Sequence, residues 1–302
     1  LAIYPQSDRA RFNLAVYYQE RGQMDRAVKE YRGVIEIRPG YYQAQINIGA
    51  ILLDREQYAE AAEHFRQALQ AAPDHPGAHL NLGIALLAQN MAEAAQPHLE
   101  AVVDAMPDLP EANLHLARAL EMQGRTDEAQ RLYEKALALD SSLALAHERL
   151  GVLYLAQGKP ENARRELQRT LDLNPQAVDA RIGLAELDVA DGHPMRALGW
   201  LSKASEYRPK DATLHLKKAE IVRRHGALGL AESSLVQATK ADPQSVEAWK
   251  QLGLLLEEEK RFDEALEALV KARTIFEERG ETVPEELTEA IKRVEGHDEG
   301  EG

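Results

Sequence analysis

An all-α array of stacked helix pairs is the fold class this chain predicts, and three registers predict it. Pro5, Pro39, Pro73, Pro107, Pro175, Pro209 and Pro243 fall on one lattice of period 34, with Ser141 in the only vacant place. Ala27, Ala61, Ala95, Ala129, Ala163, Ala197, Ala231 and Ala265 form a second lattice of the same period without exception. Small residues form the third: Ala15, Gly49, Gly83, Ala117, Gly151, Ala185, Ala219 and Gly253. A fixed period in this range means copies of one supersecondary unit, each too small to bury its own apolar face and so stacked on the next.

The elements follow in order. Leu1-Ala2-Ile3-Tyr4-Pro5 repeats the register of Ile35-Glu36-Ile37-Arg38-Pro39. Residues 1–7 therefore read as the end of a truncated preceding repeat, and with no initiating Met the native polypeptide is expected to extend upstream. Eight units run on without insertion or deletion: 8–41, 42–75, 76–109, 110–143, 144–177, 178–211, 212–245 and 246–279. After Pro284, the spacing of Leu287, Ile291 and Val294 predicts one more amphipathic helix over 284–296, a cap for the last unit. The tail 297–302 is acidic and poor in apolar residues, so it is expected to be disordered.

Inside each unit the apolar spacing is helical. The seventh position is Leu14, Ile48, Leu82, Leu116, Leu150, Leu184 and Leu252, broken once by Lys218. The twenty-fourth is always bulky, from Tyr31 and Phe65 to Leu235 and Leu269. Gly22, Gly124, Gly158, Gly192 and Gly226, with Asn90, stand at the fifteenth position, where a left-handed residue stops a helix. The lattice proline closes the second helix because it has no N–H to continue the ladder. Each unit is thus helix A, a tight turn, helix B and a second turn. The small eighth residue on A is expected to face the lattice alanine on B, with the bulky residue in the groove beside them, so Ala163→Leu should overpack by about 1–3 kcal/mol.

A unit of this length with Leu-Gly or Leu-Ala early, Ala and Tyr or Phe late, and a closing Pro resembles the tetratricopeptide repeat. Trp249, Leu252, Gly253 and Leu256 come close to its pattern, as do Ala61, Phe65, Ala68 and Pro73. The resemblance covers residues 8–279. It implies a right-handed superhelical α-solenoid with A helices on the concave face, and eight units would make roughly one turn.

Composition narrows the function. The net charge of −14 disfavours nucleic acid as a general partner, since phosphate contacts need a basic surface. The charge is uneven: residues 281–302 carry eight acidic against two basic side chains, whereas units 8–41 and 212–245 are each slightly basic. No apolar run has the length of a membrane span and no signal-peptide pattern is present. Absence of Cys excludes disulfides, thiolate metal sites and cysteine nucleophiles, and fits a bacterial periplasm or a cytoplasm equally.

No catalytic motif is found: there is no P-loop, dinucleotide fingerprint, His-Glu-x-x-His or nucleophile elbow. His75 and His79 are four apart, but Pro76 and Gly77 intervene at a helix start, so a metal site is not expected. Glu257-Glu258-Glu259 and Asp127-Glu128 read as solvated surface. The chain is expected to be no enzyme and to need no cofactor.

Recognition is the better-supported chemistry. Positions 2, 5, 6, 9, 12 and 13 of helix A are left free of packing. Position 6 reads Asn13, Asn47, Asn81, His115, Arg149, Gly183, Lys217 and Gln251. An amide offers donor and acceptor together and can hold a peptide unit without reading its side chain. The three asparagines are similar to the asparagine ladder of the O-linked N-acetylglucosamine transferases, which holds extended peptides; a cap or an inter-unit hydrogen bond is the alternative. At about 1 kcal/mol net per bond the ladder alone falls short of micromolar binding, about −8 kcal/mol. Phe12, Leu80 and Leu114 at position 5, and Arg118, Arg149 and Lys217, are candidates for the remainder, the cations pointing to an acidic patch or a free carboxylate. The family's two-carboxylate clamp needs Lys and Asn at positions 5 and 9, where the first three units have Phe12/Val16, Ile46/Ala50 and Leu80/Ile84. Asp188 and Lys218 break the apolar pattern and are expected to pair across units, because an isolated buried charge costs several kcal/mol.

The sequence therefore predicts a scaffold binding an extended peptide or partner protein. Two other readings stay open. One is a self-assembling scaffold stacking end to end on the turn at 1–5; the other is the recruiting region of a larger enzyme whose catalytic domain lies upstream.

Overall fold

A computed structural model describes residues 7–298. Residues 1–6 and 299–302 lie outside the described residues, and with them most of the expected truncated turn and part of the acidic tail. Among the described residues there are helices and no strands. The A helices are α1 (Asp8–Glu20), α3 (Tyr42–Asp54), α5 (Pro76–Ala88), α7 (Pro110–Met122), α9 (Ala144–Ala156), α11 (Val178–Ala190), α13 (Ala212–Arg224) and α15 (Val246–Glu258). The B helices are α2 (Met24–Ile37), α4 (Tyr58–Ala71), α6 (Ala92–Ala105), α8 (Thr126–Leu139), α10 (Pro160–Leu173), α12 (Pro194–Tyr207), α14 (Leu228–Ala241) and α16 (Phe262–Glu278). A final helix, α17, spans Glu285–Asp298. The chain divides between Leu153 and Tyr154 into two compact units.

The turn between A and B has one physical form throughout. Gly22, Gly124, Gly158, Gly192 and Gly226 take positive φ, and so do Asn90, Glu56 and Lys260 at the equivalent place. The N–H of the following residue reaches back to the third-last carbonyl of the helix, as in Gln23 to Tyr18, Gln57 to Leu52 and Lys159 to Tyr154, each at 2.9 Å. This is a left-handed helix stop that satisfies otherwise orphaned carbonyls. Glu56 and Lys260 show that the turn is imposed by the stack even where no glycine assists it.

The second turn, from B to the next A, is held by a device the sequence reading assigned to packing alone. In five of these turns the carbonyl of the lattice residue accepts a hydrogen bond from a polar side chain six residues on, at position 4 of the next A helix. Asn113 Nδ2 donates to Pro107 at 3.0 Å, Trp249 Nε1 to Pro243 at 3.0 Å and His79 Nε2 to Pro73 at 2.7 Å. His147 meets Ser141 at 3.2 Å, and Arg181 holds Pro175 in the same way. A proline ends the helix without an N–H, and its own carbonyl then needs a donor. Position 4 supplies one.

Helix A and helix B approach through the small residues. An ideal Cβ built on Gly49 would lie 2.7 Å from the Phe65 ring, on Gly83 2.5 Å from Leu99, and on Gly253 2.6 Å from Leu269. The bulky twenty-fourth side chain therefore rests directly on the small residue rather than in a groove beside it, while at Gly253 the Ala265 carbonyl is also close, at 3.1 Å. The lattice alanines from Ala27 to Ala265 are all fully buried. At the C-terminal end, α17 lays Leu287, Ile291 and Val294 into the core that Leu255, Leu269 and Ala272 line.

Candidate recognition surface

Position 6 sits at a seam. It lies where an A helix meets the B helix of the preceding pair. Asn47 on α3 donates through Nδ2 to Tyr31 Oη on α2 at 2.9 Å, and that hydroxyl donates to Gln19 Oε1 at 2.7 Å. Burial and the nearby Glu20 carboxylate raise the Tyr31 phenol, with the Asn47 bond opposing them. The same three positions recur three repeats later with charge. Tyr133 Oη donates to Glu121 Oε2 at 2.7 Å, and Arg149 grips both oxygens of that carboxylate, Nε to Oε2 at 3.0 Å and Nη2 to Oε1. Burial first, then Glu121, raises the Tyr133 phenol; the carboxylate raises the Arg149 guanidinium. These rungs were readable in principle. Tyrosine at position 24 coincides with Gln19 or Glu121 at position 12, while Phe65 and Leu99 coincide with Leu53 and Leu87.

The remaining predicted residues divide by what they touch. Asn13 is exposed and Asn81 half-buried, and neither side chain has a partner among the described residues. Asn47 keeps its Oδ1 without one. Phe12 is half-buried among aromatics, 5.5 Å from the Tyr31 ring and 5.0 Å from Tyr41. Leu80 is half-buried, and Leu114 is buried at 5% exposure, which removes it from any open face. Together with Ile46, Ala50 and Ile84, half-buried on α3 and α5, Leu80 forms an apolar stripe beside the asparagines. His115 on α7 has a buried Nδ1 with no hydrogen-bond partner. Burial above all, and then the Arg118 charge, pushes its imidazole down to about 4, so it is neutral in ordinary buffers. Arg118, one turn along the same face, makes no ion pair among the described residues.

The second unit presents a different A-helix surface. Lys217 on α13 pairs with Glu186 on α11. Arg224 pairs with Glu220 at 2.6 Å, Arg223 with Glu258 at 2.8 Å and Lys250 with Glu247 at 2.8 Å. Between α11 and α13 lies a cleft of roughly 200 Å3, floored by Ile182, Val189 and Ile221 and rimmed by Glu186, Lys217, Glu220 and Arg224. At position 6 of α11, Gly183 is closed off: a Cβ there would lie 2.7 Å from Leu167.

The expected Asp188–Lys218 pair does not form. Asp188 is fully buried and takes hydrogen bonds from Arg164 Nη1 at 2.9 Å and Trp200 Nε1 at 2.9 Å, with Arg196 Nε at 3.5 Å. Position 11 faces the helix B layer, so its cations come from α10 and α12. Lys218 on α13 is half-buried, and burial lowers its ammonium while Glu206 opposes the shift. The two nearby histidines at 75 and 79 also diverge. His75 caps α5 by accepting from the Ala78 N–H at 3.2 Å, and His79 turns to His98, Nδ1 to Nδ1 at 3.0 Å. Among the described residues no group of three His, Asp or Glu side chains is placed to hold a metal ion. No described helix is long and apolar enough to cross a membrane.

Fold and surface together define a helical-repeat protein whose A helices carry the variable chemistry. The tetratricopeptide repeat models match residues 8–41, 52–97, 86–148, 154–221 and 223–277. The chain belongs to the tetratricopeptide repeat family, whose members are generally non-catalytic scaffolds that bind proteins or peptides. No protein of curated function matches it in sequence. Among solved structures it is similar to YrrB, described as a TPR protein with an unusual peptide-binding site, at 24% identity and a TM-score of 0.51 over 58% of this chain and 90% of that one. It is similar to PilF of Pseudomonas aeruginosa at 20% identity and 0.59 over 68% and 94% of the two chains. A tetratricopeptide repeat protein of Parabacteroides merdae matches at 18% identity and 0.57 over 84% and 98%. At these identities the likeness is one of fold.

Proposed function

We propose that this chain is an interaction scaffold of eight helix-pair units capped by α17, and that its first compact unit binds an extended peptide segment of a partner protein on the face of α1, α3, α5 and α7. One observation carries the proposal: Ile46, Ala50, Leu80 and Ile84 form a half-buried apolar stripe next to Asn81 and the free Oδ1 of Asn47. Apolar contact supplies affinity at about 25 cal/mol per Å2 buried, and the amides fix the strand without reading its side chains. An extended backbone needs both, because each hydrogen bond adds only about 1 kcal/mol.

A displayed random-peptide library selected on the full chain tests this. Selected peptides should lose at least about tenfold in affinity, some 1.4 kcal/mol, on Ile84→Glu. Lys29→Glu, an exposed change on α2, should leave them bound. Equal affinity for all three proteins would reject this surface.

A further inference from the structure

Of the three cations that the sequence offers as carboxylate ligands, two are already engaged. Arg149 is bound by both oxygens of Glu121, and Lys217 is bound by Glu186. Arg118 alone stays without an ion pair among the described residues, in a chain whose net charge is −14. We infer that Arg118 is the specificity-determining residue of the first unit's surface and takes one carboxylate from the bound peptide.

This rests on the peptide-binding reading above and names the chemistry it leaves open. Arg118 and His115 are three residues apart on α7, so their side chains share a face. Burial first, and then the Arg118 charge, keeps the His115 imidazole neutral, so no second cation on this face competes with Arg118 for the carboxylate. At the same helical position the neighbouring A helices carry the apolar Ile84 and Val152, both half-buried. A guanidinium in such a setting binds a planar carboxylate through two parallel hydrogen bonds. Glu121, on the same helix, cannot serve, since Tyr133 and Arg149 hold it.

Matched synthetic peptides from the library selection test the assignment. One pair differs by Glu against Gln at a single site; the other differs by free acid against amide at the C-terminus. Wild type should prefer the acid form in one pair by about tenfold, and which pair identifies the source of the carboxylate. Arg118→Met should bind the neutral peptide unchanged and lose the preference; Arg118→Lys should keep part of it, without the bidentate geometry. A preference that survives Arg118→Met, or no preference in wild type, overturns the inference. The two proposals fail differently: Ile84→Glu without effect removes the surface, whereas loss of binding on Ile84→Glu with the preference intact in Arg118→Met removes Arg118 alone. Selection of no peptide counts against both.

Discussion

The A-helix faces of the two compact units are built on one backbone and differ in how their polar groups are engaged. On residues 8–153 the face combines an apolar stripe, amides at Asn13 and Asn81 without side-chain partners among the described residues, and the half-buried Arg118, which makes no ion pair among them. On the second unit nearly every charge has a neighbour of opposite sign, as Lys217 with Glu186 and Arg223 with Glu258. Exposed pairs of that kind contribute little to stability, about 0–1 kcal/mol each, but an incoming charge must displace one partner to gain the other. Free amides and an unpaired guanidinium impose no such competition. That contrast is what the proposed recognition surface on the first unit rests on.

The rungs at position 6 sharpen the comparison, because one architecture holds a neutral version and a charged one. Glu121→Leu leaves the half-buried Arg149 without its carboxylate and should destabilise the first unit by about 3 kcal/mol. Gln19→Leu removes only a neutral acceptor from Tyr31, so about 1 kcal/mol is expected. Denaturant midpoints at constant slope measure both. Equal losses would mean that the charge in the second rung adds nothing.

His115 predicts a pH effect confined to the first unit. Its folded value lies near 4, below the ordinary histidine value of about 6.5, so the unfolded chain binds more protons between those limits. Stability is then complete above about pH 6.5 and falls as pH drops toward 4, by up to about 3 kcal/mol. The difference between wild type and His115→Leu, followed by chemical denaturation across that window, should show this slope. A flat difference would place the imidazole in water.

In the second unit, Arg164→Ala removes the closest cation from fully buried Asp188 and should cost about 2 kcal/mol, with Trp200 and Arg196 retaining the carboxylate. Lys218→Met should cost less or even stabilise, since Lys218 is no partner of Asp188. Smallest is Lys260→Gly, which relieves a left-handed lysine at φ 63 and should stabilise by about 1 kcal/mol. Thermal unfolding checks these.

Much of the fold is legible in the sequence because close packing repeats. Gly49, Gly83 and Gly253 admit no larger side chain without moving Phe65, Leu99 or Leu269, and that constraint writes itself at one spacing. The position-4 donors were harder to see. Asn113, His147, Arg181 and Trp249 share no residue type, only an N–H that reaches a carbonyl. The Asp188 partners were hidden for another reason: position 11 points to helices α10 and α12, and spacing along the A helices carries no information about them. At the surface, the sequence names Asn13, Asn47, Asn81, Arg118, Arg149 and Lys217 as equals. Only geometry separates the engaged from the free.

Amide hydrogen exchange of the full chain with and without a selected peptide tests the central claim most directly. Slowed exchange should concentrate on α1, α3, α5 and α7, with the A helices of the second unit unchanged. Protection falling instead on α11, α13 and α15, or on the B helices, would contradict it.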